Sequence, residues 1–125
     1  MTYMDVIARL EQEKELVGRL NAHLQEELDL IASDDVLALE ESMPAKQKII
    51  RSIADIRKET RMPASEPAPE DALRMRSLQQ DLVRSWKKAT GLNEISTPMV
   101  TQTLTELDDS AHNLFHTLTE SSTRH

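Results

Sequence analysis

"LIASDDVLALEESMPAKQKII", residues 30–50, decides whether this chain is a rod or a hairpin. Two apolar-periodic segments meet at Ser33-Asp34-Asp35. Ser and Asp accept the orphan N–H groups of a helix's first turn, and carboxylates there suit the positive end of the helix dipole. The break therefore lets one helix stop and another start. Two long stripes joined by so few residues predict antiparallel packing as a helical hairpin over residues 3–61. A single uninterrupted rod would need the acidic break itself to be helical.

Upstream, Tyr3, Ile7, Leu10, Val17, Leu20 and Leu24 recur at helical spacing, followed by Leu28 and Ile31. Steps of three, four or seven put such side chains on one side of a helix. Lys14 and Asn21 fall in the same register and weaken the stripe. Glu13, Glu15, Glu26 and Glu27 are expected mostly on the opposite, solvated side. Downstream, Val36, Leu39, Met43, Ile50 and Ile53 repeat the pattern, widened by Ile49 and Ile56. Pro44 allows two readings. Either one helix runs through it with a kink, or a second helix begins there, capped by Ser42 with Pro44 in its first turn.

The segment RMPASEPAPED, residues 61–71, reads as a linker because Pro63, Pro67 and Pro69 each oppose helix. An exposed Pro-rich stretch over 62–69 is expected, with Pro69 able to stand near the next helix start. Leu73, Met75, Leu78, Leu82, Val83, Trp86 and Ala89 mark a third helix over 70–90, which Gly91 is expected to end. Thr97-Pro98 then reads as the cap and first residue of a last helix over 98–118. Its stripe is Val100, Leu104, Leu107, Ala111, Leu114 and Leu118, broadened by Met99 and Phe115. Four threonines within it lower helix propensity by roughly 2 kcal/mol, so this segment depends on packing.

Composition agrees with helices. Among 125 residues aromatics make up 2 % and Gly contributes 2 residues, whereas 30 % are charged. Sheets want β-branched and aromatic residues between Gly-rich turns. The fold class is all-α, an antiparallel bundle of three to four long helices forming a single domain. No Cys is present, which removes disulfides and thiolate metal sites. No apolar run approaches the ~20 residues that span a bilayer, and the N-terminus does not read as a secretory signal. A soluble, cytoplasmic protein without membrane insertion is expected.

The net charge is −7 and is spread unevenly. Residues 1–42 carry 3 basic and 11 acidic side chains, residues 43–62 carry 6 and 2, residues 63–90 carry 5 and 4, and residues 91–125 carry 1 and 5. An acidic chain is a poor ligand for nucleic acid. The basic block of Lys46, Lys48, Arg51, Arg57, Lys58 and Arg61 is expected to face the acidic first segment. Catalytic signals are lacking: no Cys, no phosphate-cradling Gly-rich loop, no G-x-S-x-G. His112 and His116 share a helix face with Asp109 nearby, a spacing that can hold a divalent ion. A di-iron bundle needs two Glu-x-x-His pairs and two further glutamates, and only Asp109-x-x-His112 resembles one pair. No enzyme activity, metal or cofactor is expected. Trp86, alone on its stripe, reads as core.

The run from Leu10 to Glu59 resembles the N-terminal half of FlgN-type flagellar export chaperones. The elements that carry the likeness are Ile31, Ser33, Asp34, Leu37, Leu39, Lys46, Ile49 and Ile50. A Pro/Ala linker, a helix containing Trp86, a break with Asn93 and an amphipathic tail helix extend it over nearly the whole chain. The resemblance implies a non-enzymatic cytoplasmic chaperone of type III flagellar export. Such proteins bind C-terminal helices of hook–filament junction subunits and prevent their premature assembly. Its implied partners are exported hook-associated proteins, with the export apparatus and a second copy of the chain as further options. A masked amphipathic helix fits such a role physically, through anchors at i, i+3, i+4 and i+7. Val100, Leu104, Leu107, Ala111, Leu114, Phe115 and Leu118 are the expected partner contacts, with internal core as the other reading of the same residues. A homo-oligomeric structural coiled coil, associating through the first two stripes, is the alternative function.

Overall fold

The computed structural model describes residues 1–115, with side chains described through residue 99. Three helices follow in order: α1 Tyr3–Ala32, α2 Val36–Glu59 and α3 Pro69–Phe115. α1 begins with a capping box in which Thr2 accepts from Asp5 N–H and the Asp5 carboxylate accepts from Thr2 N–H. The Thr2 backbone hydrogen bond also holds the Asp5 carboxyl below its ordinary value.

The acidic break is a turn, as its caps require. Asp34 N–H bonds to Ile31 C=O at 3.1 Å and Asp35 N–H to Leu30 C=O at 3.0 Å. These are the two bonds of a Schellman motif, and Asp34 takes the left-handed conformation at φ 57°. Asp35 then caps α2, its side chain accepting from Ala38 N–H at 3.2 Å.

α1 and α2 run antiparallel, as the ion pairs Arg9–Glu59, Glu13–Arg57 and Glu27–Lys46 show. The linker returns the chain to the start of α1, where Tyr3 Oη donates to the Ser65 carbonyl. α3 therefore runs parallel to α1, with Arg74 beside Glu11, Asp81 beside Lys14 and Ser96 beside Glu27. α1 packs on both other helices, whereas α2 and α3 scarcely meet. The core holds Val17, Leu20 and Leu24 of α1, Ile53 of α2, and Leu82 and Ala89 of α3. Leu10, Leu16, Ile49 and Leu92 pack around it.

Several expectations are corrected. α3 is one helix of 47 residues, not two separated at Gly91 to Thr97. Gly91 lies within it, half-buried, and Thr97 donates to Asn93 Oδ1 instead of capping a helix. The row Ala89, Leu92 and Ser96 continues to face α1, and that packing outweighs the ~1 kcal/mol that a helical Gly costs. Of the two readings open at Pro44, α2 takes the continuous one: it runs through Pro44, and Ser42 Oγ donates back to Leu39 C=O at 2.7 Å instead of capping a new helix. Pro44 and Pro98 are both exposed, as are Glu40 and Glu94 one turn earlier. The carbonyls that each proline strips of a donor can therefore be met by water.

The α1 seam is also shifted. Val6, Glu13, Val17, Leu20, Leu24 and Glu27 are buried, with Asn21 beside them, so Glu13 and Glu27 lie inside and not on the solvated side. Lys14 is exposed and pairs with Asp81 at 2.9 Å. Together with Arg84, it holds the Asp81 carboxyl below its ordinary value.

Candidate functional site

α1 at the centre with α2 and α3 flanking leaves a cleft between α2 and α3. Helices in a bundle pack about 8–10 Å apart, so three rods around one seam fill three corners of a four-helix bundle. The fourth corner is open here. Its larger part is a groove of ≈ 660 Å³ walled by Gln79, Leu82, Val83, Trp86 and Lys87 of α3, with Glu13 and Arg57 opposite. A smaller hollow of ≈ 190 Å³ continues it over Leu20, Leu24, Ile50, Trp86 and Ala89. Val83 is 53 % exposed and Ile50 39 % exposed, so the walls present hydrocarbon to water.

Trp86 joins the two hollows. It is half-buried, not sealed in the core. Its Nε1 donates to Glu13 Oε2 at 3.1 Å, and the Arg57 guanidinium carbon sits 4.9 Å from the ring centroid. Arg57 also grips Glu13 with two hydrogen bonds, Nε to Oε1 at 2.9 Å and a terminal nitrogen to Oε2 at 3.1 Å. This fork geometry suits a partly buried carboxylate. Burial pushes the Glu13 carboxyl up. The hydrogen bonds from Arg57 and Trp86, with the Arg57 charge, outweigh it and hold the group below its ordinary value. Glu13 and Arg57 together fix the tilt of the indole that lines the groove.

A second buried carboxylate lies farther along the cleft. Glu27 is fully buried; Ser96 Oγ donates to its Oε2 at 2.8 Å, and Lys46 Nζ lies 3.3 Å from Oε1. His23 Nε2 is 3.9 Å away, too far for a hydrogen bond, and has no partner. Asn21 Nδ2 donates to Ser85 C=O at 3.1 Å, while its Oδ1 is unsatisfied. Of the basic block, Lys46 and Arg57 thus face the acidic first segment as expected. Nothing in the sequence singled out Glu13 or Glu27 from the other acids, because their burial depends on cations contributed by α2.

Among the described residues no group of three or more His, Asp or Glu side chains could hold a metal ion. Among them, no helix is long and apolar enough to cross a membrane. The expected partner residues Val100, Leu104, Leu107, Ala111, Leu114 and Phe115 belong to the last turns of α3, and their side chains fall outside the described residues, as do Leu118 and the side chains of His112 and His116. No protein-family model, no curated protein and no solved structure matches this chain.

Proposed function

We propose that this chain is a binding protein that seats an amphipathic helix of another protein at the open fourth corner of its bundle. The observation that carries this reading is the groove itself, with Val83 and Ile50 exposed on its walls and Trp86 fixed between them. A helix laid there would bury apolar residues at i, i+3, i+4 and i+7 against both walls. Aromatic residues held in a defined pose are the usual energetic anchors of such contacts.

The sequence resemblance supplies the partner class. The chain acts as a cytoplasmic flagellar export chaperone that covers C-terminal helices of hook–filament junction subunits and keeps them from assembling early. Val100, Leu104, Leu107, Ala111, Leu114, Phe115 and Leu118 extend the contact beyond the groove. Of the α1 and α2 stripes, Val17, Leu20, Leu24 and Ile53 are committed to the chain's own core, which favours this reading over a structural coiled coil.

The test uses a dye-labelled peptide from the C-terminal helix of a hook–filament junction subunit and follows the fluorescence anisotropy of the dye as the chain is added, a signal that does not depend on Trp86, the chain's one tryptophan. Saturable binding is expected, weakened at least tenfold by Trp86→Ala or by Leu107→Asp with Leu114→Asp, with melting curves kept near wild type. No binding by the intact chain refutes the reading. Lost binding accompanied by unfolding assigns Leu107 and Leu114 to the core.

A further inference from the structure

The groove carries opposite charge at its two ends. Toward the start of α1 it passes Gln79 and Val83 into a hollow lined by Arg76 and Arg84. Arg57 stands on the facing wall, and Lys58 follows it on the exposed side of α2. Glu13, the carboxylate lining this end, is already held by Arg57, and Asp81 by Lys14 and Arg84. Asp55, two residues from buried Ile53, lies on the outer side of α2. Lys58, Arg76 and Lys87 are exposed, and none has a carboxylate partner among the described residues.

At the far end the sign reverses. Glu94 lines the groove two turns beyond Lys87, and α3 has no Lys or Arg from Gly91 to Met99. On α2, Leu39 and Ile53 are buried, and Lys46, midway between them, is half-buried against Glu27. The interval of seven therefore holds through Pro44. One position along from these residues, Glu40, Gln47 and Ala54 form the next row, which Lys58 extends by a further four; all four are exposed. The outer lip of α2 thus reads acidic, neutral, then basic. The α3 lip reads the other way, from Arg76 and Lys87 to Glu94.

Because α2 and α3 run in opposite directions, like signs coincide. Arg57 and Asp81 sit at the level of Glu13 and Lys14, whereas Lys46 and Ser96 sit at Glu27. Lys58 and Arg76 therefore flank one end, Glu40 and Glu94 the other, and Ile50, Ala54, Val83 and Trp86 make an apolar waist. From Arg76 to Glu94 the span is about 27 Å, or five turns of a helix.

We propose that the groove selects a bipolar amphipathic helix, with carboxylates at the end seated between Lys58 and Arg76 and cations at the end seated between Glu40 and Glu94. This rests on the reading of the groove as a helix seat and adds what that seat discriminates. Charges around an apolar centre fix orientation and reject wrong partners more than they add affinity. A uniformly anionic ligand, such as a nucleic acid strand, meets repulsion at Glu40 and Glu94. A uniformly basic helix meets it at Lys58 and Arg76.

The probes are three dye-labelled peptides of about 18 residues, the five turns of the groove. They share one Leu/Ala face and differ in the polar face: Glu in one half and Lys in the other, Lys throughout, or Glu throughout. The bipolar peptide should bind the full chain about tenfold more tightly than either uniform one, and the preference should shrink at about 0.5 M salt. Lys58→Glu with Arg76→Glu, both at exposed positions, should transfer the preference to the Lys peptide. Orientation is read separately, since the chain has no Cys. On oxidation Gln79→Cys should cross-link to a Cys in the Glu half, and Thr90→Cys to a Cys in the Lys half.

If the client peptide binds but the probes show no preference, or cross-link without regard to the half, this proposal falls and the helix seat stands. If neither client nor probes bind, both fall. A dimer in sedimentation equilibrium that the bipolar peptide dissolves marks a second copy of the chain as the occupant and overturns the proposal. So does a dye-labelled single-stranded oligonucleotide that binds more tightly than the bipolar peptide.

Discussion

Ser96 Oγ donates a 2.8 Å hydrogen bond to Glu27 Oε2, and neither residue exposes any surface. Lys46 supplies the countercharge from α2, so one carboxylate ties all three helices at a single level. Removing one partner of a buried pair leaves an uncompensated charge, which costs about 3–5 kcal/mol, whereas replacing both partners by apolar residues can be neutral. Lys46→Met should therefore lower unfolding stability by about 3 kcal/mol, and Glu27→Leu with Lys46→Met should recover most of it. Urea unfolding followed by circular dichroism reads both. A loss for Lys46→Met no larger than that of an exposed pair, about 1 kcal/mol, would contradict this account.

Glu13 makes stability depend on acid. Its folded carboxyl titrates below the ordinary value of 4.5. A group depressed on folding contributes stability that is fully present above the unfolded value and is lost as pH falls through the folded one. Glu13→Gln should thus flatten the decline in stability below about pH 4.5, after costing about 1 kcal/mol at neutral pH. The magnitude is kept small because the Arg57 side chain is 56 % exposed. Trp86 emission should shift as the carboxyl protonates, since Nε1 loses its charged acceptor. An unchanged acid limb in Glu13→Gln would assign the pH dependence elsewhere.

Asp34 carries the positive φ of the Schellman turn, at 57°. A left-handed residue other than Gly pays roughly 1 kcal/mol, and Asp is among the more tolerant types. Asp34→Gly should raise stability by a few tenths to about 1 kcal/mol, while Asp34→Val should lower it by more than that. Thermal melts of the two variants, compared in the same buffer, check the sign in each case.

How far the sequence speaks depends on the range of the interaction. The turn at Ser33 to Asp35 was legible because caps act over one helical turn. The continuity of α3 was not, because Gly91 and Pro98 signal a break locally while Ala89, Leu92 and Ser96 hold the helix against α1. The seam of α1 was misread by one position near Val6 and Ile7, and Glu13 and Glu27 went with it. Their hydropathy says surface; Arg57, 44 residues from Glu13, and Lys46, 19 residues from Glu27, together with donors from Trp86 and Ser96, make the interior tolerable. The groove was invisible for a related reason. Periodicity identifies apolar rows but not how many neighbours each row will find, so it placed Trp86 against the core, where it packs, without showing that its other side lines an open wall.

Gly18 and Gly91 provide a last test of that continuity. Each sits inside a helix, and a Cβ added at either would meet nothing within 4 Å. Helical Gly is less favourable than Ala by about 0.8–1.0 kcal/mol, so Gly18→Ala and Gly91→Ala should each stabilise the chain by up to that amount. The two lie on different helices and should add. Gly91→Ala separates the architectures sharply. Were Gly91 the terminus of a helix ending near residue 90, the substitution would remove a favourable cap and destabilise. In the continuous α3 it strengthens the helix and projects a methyl beside the groove wall. A higher melting temperature for Gly91→Ala, close to the gain from Gly18→Ala, is therefore the outcome that a single long α3 requires.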